Sequence, residues 1–109
     1  MTVAVAIEQV DQKLALLAKA LGHPARVRIL RLLLSCETCY CGELVDELPL
    51  AQATVSQHLK VLSEAGLVTV KSQGARTCYC VRRARIAELH ELLGDLLAEA
   101  VGPDVDGCD

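Results

Sequence analysis

The sequence predicts a mainly α chain with one small β-hairpin, and three observations predict it. Apolar residues recur at steps of three and four along most of the chain. One stretch, from Leu67 to Arg82, reads instead as two short strands about a turn. The composition is 52% hydrophobic, yet Phe and Trp are absent and only Tyr40 and Tyr79 are aromatic. Leu, Val and Ala therefore supply the core, which suits packed helices better than a sheet sandwich. At 109 residues the chain is one domain, read as residues 1–101 with an acidic, disordered tail over 102–109. A single core of this size is modest, and pairing with a second copy would bury more.

The elements follow in order. Ile7, Val10, Leu14, Leu17 and Leu21 mark an amphipathic helix from about Val5 to Leu21, with a narrow coiled-coil-type seam. Gly22-His23-Pro24 stops it, and Pro24 suits the first turn of a second helix running to about Leu34. Its broad apolar face carries Val27, Leu30 and Leu34, with Ile29 and Leu33 beside them, while Arg26, Arg28 and Arg31 point elsewhere. Residues Ser35 to Gly42 read as a loop or short extended stretch. A brief helix, Glu43 to Leu48, ends at Pro49. Ala51 to Ala65 is a stronger helix, with Val55, Leu59 and Leu62 inward and Gly66 as its C-terminal cap. Leu67 to Lys71 is a strand, Ser72 to Ala75 a turn and Arg76 to Arg82 the returning strand. The last helix, about Ala84 to Ala100, carries Ile86, Leu89, Leu93 and Leu96 at spacings that repeat those of the first. Two terminal helices with matched seams in so short a chain point to an interface between two copies, formed by Ile7, Val10, Leu14, Leu17, Ile86, Leu89, Leu93 and Leu96.

The net charge of −3 hides a basic stripe. Residues 51–83 hold Lys60, Lys71, Arg76, Arg82 and Arg83 against Glu64 alone, whereas residues 84–109 hold Arg85 against seven acids. The position of the positive block matters more than the total. No apolar run approaches the ~18 residues of a membrane span, and the N-terminus lacks a basic start. The expectation is a cytoplasmic protein. In a reducing compartment, six cysteines point to metal binding or redox chemistry more than to a disulfide scaffold.

Two helices joined by a tight turn, the second followed by a basic hairpin, form a winged helix-turn-helix. Here the first is Glu43–Leu48, the turn spans Pro49-Leu50 and the second begins near Ala51. Its start offers Gln52, Thr54, Ser56, Gln57 and His58, short or amide side chains able to bond phosphates and base edges in a major groove. Lys60 and the wing residues Lys71, Gln73 and Arg76 sit where they could grip the DNA backbone. The expected partner is double-stranded operator DNA.

Leu21-Gly22-His23-Pro24-Ala25-Arg26-Val27-Arg28-Ile29-Leu30 resembles the opening motif of the ArsR-SmtB family of bacterial repressors. Ala51 to Leu62, ending in Ala65-Gly66-Leu67-Val68, is similar to that family's recognition helix and its exit. The resemblance covers roughly residues 10 to 100. It implies a homodimeric repressor on an imperfect inverted repeat, released from DNA when a metal ion binds.

Cys36, Cys39 and Cys41 are spaced C-x2-C-x-C. Thiolates select soft ions; three sulfurs suit arsenite or antimonite, and four suit zinc or cadmium. The resemblance places a Cys-x-Cys sensing site at the start of the first reading helix, where Cys39-Tyr40-Cys41 falls. A familiar arsenical version has its third cysteine after that pair, but Val45-Asp46-Glu47 stands there, so Cys36 is the nearest substitute. The inducer is read as arsenite or antimonite, with cadmium, lead or zinc as further options and no organic cofactor. A second pair, Cys78-Tyr79-Cys80, falls on the returning wing strand. If the segment before the first reading helix pairs with that strand, each pair shares one face, and the two could form a joint site or Cys78 and Cys80 a separate one. Cys108 in the tail has no assigned role. The family's other common site, of carboxylates and histidines on the last helix, is improbable because His90 has no second histidine at the needed spacing.

Two rivals share the fold. One is a thiol redox switch, in which bridging joins the two clusters, since Cys-x-Cys is a poor short-loop disulfide. The other is a DNA-binding protein with a structural zinc site. No catalytic triad, phosphate loop or carboxylate pair can be placed, so an enzyme is not expected.

Overall fold

The computed structural model describes residues 3–42 and 48–104. Helix α1 (Val3–Leu21) is followed by α2 (Pro24–Leu34), strand β1 (Cys39–Cys41), α3 (Gln52–Glu64), β2 (Val68–Gln73), β3 (Arg76–Val81) and α4 (Arg83–Ala98). This is a winged helix-turn-helix: helices around one core, with an antiparallel three-stranded sheet at one side.

Local chemistry sets the boundaries. Pro24 opens α2, and the His23 imidazole caps it, its Nδ1 accepting the Ala25 N–H at 3.0 Å. Gly66, at φ +83°, ends α3: Gly66 N–H reaches the Ser63 carbonyl and Leu67 N–H the Leu62 carbonyl, both at 3.0 Å. The hairpin turn is tighter than the sequence indicated. Gln73 pairs directly with Arg76, leaving only Gly74-Ala75 in the loop. Gly74 at φ +65° permits this, because a two-residue hairpin turn needs a positive φ at its first loop position.

The stretch before residues 43–47 is a true strand. β1 lies against β3 in the order β1-β3-β2, with Cys39 opposite Cys80, Tyr40 opposite Tyr79 and Cys41 opposite Cys78. The expected short helix Glu43–Leu48 falls mainly on residues outside those described; Leu48 is buried in the core. Cys108 also lies outside them.

Every helix feeds one core. Leu17 from α1, Ile29 and Leu33 from α2, Leu62 from α3, and Leu67 and Val68 entering β2 are almost fully buried. The terminal seam divides differently from the sequence reading. Leu17 and Leu89 belong to the protomer's own core, at 1% and 7% exposure, and so are not free to meet a second copy. The reason is that α1 and α4 pack on each other within the chain, where Lys13 Nζ meets Glu88 Oε2 at 2.7 Å. Leu14 and Ile86 are half-buried, while Ile7, Val10, Leu93 and Leu96 remain exposed. Among the described residues no helix is long and apolar enough to cross a membrane.

Candidate functional site

α3 presents two faces. Val55, His58, Leu59 and Leu62 turn into the core, and Gln52, Thr54, Ser56, Gln57 and Lys60 are exposed. The exposed set is a row of amides, hydroxyls and one ammonium at the N-terminal half of the helix, the side-chain types that bond base edges and phosphates. Lys71, Gln73 and Arg76 are exposed on the hairpin beside it. In this structure the Arg76 guanidinium donates to the Cys41 carbonyl at 3.4 Å, tying the wing to β1.

His58 is the exception among the residues expected at DNA. Its side chain is buried, with the ring 4.4 Å from that of His23. Its Nδ1 lies 3.3 Å from Arg26 Nη1. A guanidinium can only donate, so Nδ1 accepts and the imidazole is neutral with its proton on Nε2. Burial first, then the His23 ring and the Arg26 charge, hold His58 below its ordinary pKa of 6.5. It anchors α3 rather than reaching a base. Arg26 completes the anchor by donating to the Ala20 and Lys19 carbonyls at the end of α1. Sequence reading left Arg26 without a role; the available signal was its place two residues after Pro24, facing the carbonyls of a helix that has just ended.

The cysteines form a ladder on the wing sheet. Side chains alternate along a strand, so Cys39, Cys41, Cys78 and Cys80 share one face, while Tyr40 and Tyr79 share the other and pack against the core. Facing cysteines are joined: Cys39 to Cys80 and Cys41 to Cys78. Cys78 is almost fully buried and the other three are half-buried. Thr69 and Lys71 of β2 stand opposite Cys80 and Cys78 and extend the same face. Cys36 stands apart at the end of α2, where its thiol donates to the Leu32 carbonyl at 3.7 Å and is free. The trio Cys36, Cys39 and Cys41 is thus divided: two members join the wing pair, and the third does not enter the ladder. With the sulfurs paired as disulfides, no set of three His, Cys, Asp or Glu side chains among the described residues is placed to hold a metal ion. Once reduced, the ladder offers four soft sulfur donors on one face, a donor set that fits thiophilic ions.

Known proteins share the fold. A helix-turn-helix domain family model matches residues 21–71. The transcriptional regulator CmtR of Mycobacterium tuberculosis is 35% identical over 99 residues, spanning 91% of this chain and 80% of its own. The NMR structure of CmtR, described as a cadmium metal-sensor, superposes with a TM-score of 0.54 over 88% of this chain and 95% of that one. An ArsR-like transcriptional regulator from Rhodococcus sp. RHA1 is 25% identical with a TM-score of 0.69, covering 82% of this chain and 83% of its own. A possible transcriptional regulator for arsenical resistance is 26% identical with a TM-score of 0.61, over 79% of this chain and 95% of that one. Fold, exposed reading helix and basic hairpin together define a DNA-binding transcriptional regulator. The relatives are regulators rather than enzymes. The chain belongs to the ArsR-SmtB family of transcriptional regulators.

Proposed function

We propose that the protein is a repressor that binds operator DNA as a homodimer and releases it when a thiophilic ion binds its cysteine thiolates. The observation that carries this reading is the gathering of four cysteines on the wing sheet, with Cys41 only two residues before the segment that leads into α3. An ion lodged between those sulfurs holds them farther apart than a direct S–S bond does, which strains β1 against β3 and so shifts the reading helix. Arsenite and antimonite are the first inducers to test, supported by the similarity to a regulator for arsenical resistance; cadmium follows from the similarity to CmtR. Cys39 and Cys41 are ligands in this reading, joined by Cys78 and Cys80, with Cys36 as the nearest supplementary thiol.

Dimerisation rests on the exposed apolar rim. Ile7, Val10, Leu93 and Leu96 stay 39–56% exposed in the isolated chain, and Ile7, Val10, Leu92 and Leu96 line an open groove between α1 and α4. The radius of gyration is 17.1 Å. A compact single domain of this length has about 13 Å. Helices that extend so far with apolar faces exposed are suited to a second copy.

The test is induction in thiol-deficient variants. Cys39→Ser/Cys41→Ser protein is expected to bind the operator as the wild type does and to remain bound when arsenite or cadmium is added. Normal release from that variant would contradict the proposal.

A further inference from the structure

The cysteine ladder has a second chemistry besides ion binding. The two facing pairs have Cα atoms 4.4 Å and 4.1 Å apart. In an antiparallel ladder the narrow, non-hydrogen-bonded positions lie at about 4.5 Å and the wide ones at about 5.5 Å. Both cysteine pairs therefore occupy narrow positions, where side chains approach most closely. The alternation of β1 fixes this: Tyr40 opposite Tyr79 takes the position between them, and Gly42 N–H donates to the Thr77 carbonyl at the next one, 3.3 Å away. Both bridges sit across the antiparallel pairing with its register kept.

We infer that Cys39/Cys80 and Cys41/Cys78 are two dithiol pairs that a peroxide-class oxidant converts to disulfides, and that the oxidised protein keeps its operator while no longer taking up a thiophilic ion. In each pair one thiolate attacks the peroxide, forming an S–O bond as the O–O bond breaks and hydroxide leaves. The facing thiolate then attacks that sulfur, forming the S–S bond and expelling a second hydroxide. The two thiol protons convert both hydroxides to water. Each pair thus loses two electrons and one peroxide becomes two waters. A dithiol reductant reverses the change by exchange. In a reducing compartment, disulfides of this kind are transient and sensing rather than structural.

The effect on DNA follows from which face is stapled. The sulfurs lie on the face opposite the tyrosines, and on the tyrosine side Val70 and Tyr79 line a recess with Ser56, Leu59 and Lys60 of α3. Bridging therefore leaves α3 seated on the sheet, and Gln52, Thr54, Gln57 and Lys60 stay exposed. Disulfide sulfurs carry no ionised thiolate to offer an ion, so the same step removes the ligands. Oxidation overrides induction instead of imitating it. The ion uptake and the operator binding in this inference rest on the function proposed above; the disulfide pairing does not.

The experiment uses the full chain. Protein reduced and then treated with hydrogen peroxide is alkylated, digested and mapped by mass spectrometry, alongside Cys39→Ser/Cys80→Ser and Cys41→Ser/Cys78→Ser variants that resolve the pairing. Operator binding is followed by fluorescence anisotropy, and arsenite uptake by native mass spectrometry. Intramolecular Cys39–Cys80 and Cys41–Cys78 links, Cys36 still alkylated, operator retained and arsenite uptake lost until a reductant is added are the expected results. Links through Cys36 or between subunits, DNA released by peroxide alone, or undiminished arsenite uptake by the oxidised protein would each overturn the inference. Reduced protein that takes up arsenite without releasing DNA would instead contradict the proposed function and leave the redox result standing.

Discussion

The two bridges make a quantitative prediction because they are nested. Cys41–Cys78 spans a sequence separation of 37 and Cys39–Cys80 one of 41. Closing either loop alone removes enough chain entropy from the unfolded state to stabilise the fold by about 4 kcal/mol. The second bridge then closes a ring of only about four residues, and adds about 2 kcal/mol. Removing either pair should therefore cost about 2 kcal/mol, because the survivor still closes nearly the same loop, while removing both should cost about 6 kcal/mol. For a chain of this size those losses correspond to melting shifts of roughly 10 °C and 30 °C. The assay is thermal unfolding by circular dichroism of wild type, the two pair variants and the quadruple Cys→Ser variant. Each is compared in its oxidised and reduced forms, so the local cost of placing Ser at the buried Cys78 position cancels. Independent bridges would give about 4 kcal/mol per pair and about 8 kcal/mol together. An additive result of that kind, or an oxidised wild type no more stable than its reduced form, would refute the reasoning.

Three further outcomes follow. Leu62→Ala, at a side chain with no exposure, should destabilise by about 2–5 kcal/mol and lower the melting temperature in thermal unfolding. Because the fold lowers the His58 pKa, the unfolded chain binds a proton at His58 before the folded one does, so stability is full above pH 6.5 and declines as pH falls from there towards the folded pKa. His58→Gln should flatten that decline in pH-dependent urea unfolding, and an unchanged slope would exclude His58 as its source. Lys71→Ala and Arg76→Ala should each lower the slope of log affinity against log salt by about 1 and weaken binding alike on all sequences, whereas Gln57→Ala should relax discrimination between operators.

Much of this molecule was legible in its sequence. The periodic leucines located α1, α2, α3 and α4 to within a few residues, because burial on one face imposes the 3.6-residue period directly. Pro24, Gly66 and Gly74 marked boundaries for equally local reasons. That each Cys-x-Cys pair lies on one face was also foreseeable once the segment is extended, since side chains alternate along a strand. Long-range packing was harder to read. Leu17 and Leu89 have the same seam spacing as their exposed neighbours, and only the contact of α1 with α4 inside the protomer assigns them to the core. His58 carries a polar side chain in a polar stretch, so its burial depends on His23 and Arg26, more than thirty positions away. The separation of Cys36 from the ladder depends on where α2 ends and cannot be read from the C-x2-C-x-C spacing.

The most direct test of thiol-controlled repression is a single titration. Fully reduced protein is bound to a labelled fragment from upstream of its gene, and arsenite is added while anisotropy is followed. Two protomers bound per operator, and release at low ion equivalents that Cys39→Ser/Cys41→Ser abolishes, are the predicted results. A complex that stays intact throughout the arsenite, antimonite and cadmium titrations would contradict the account.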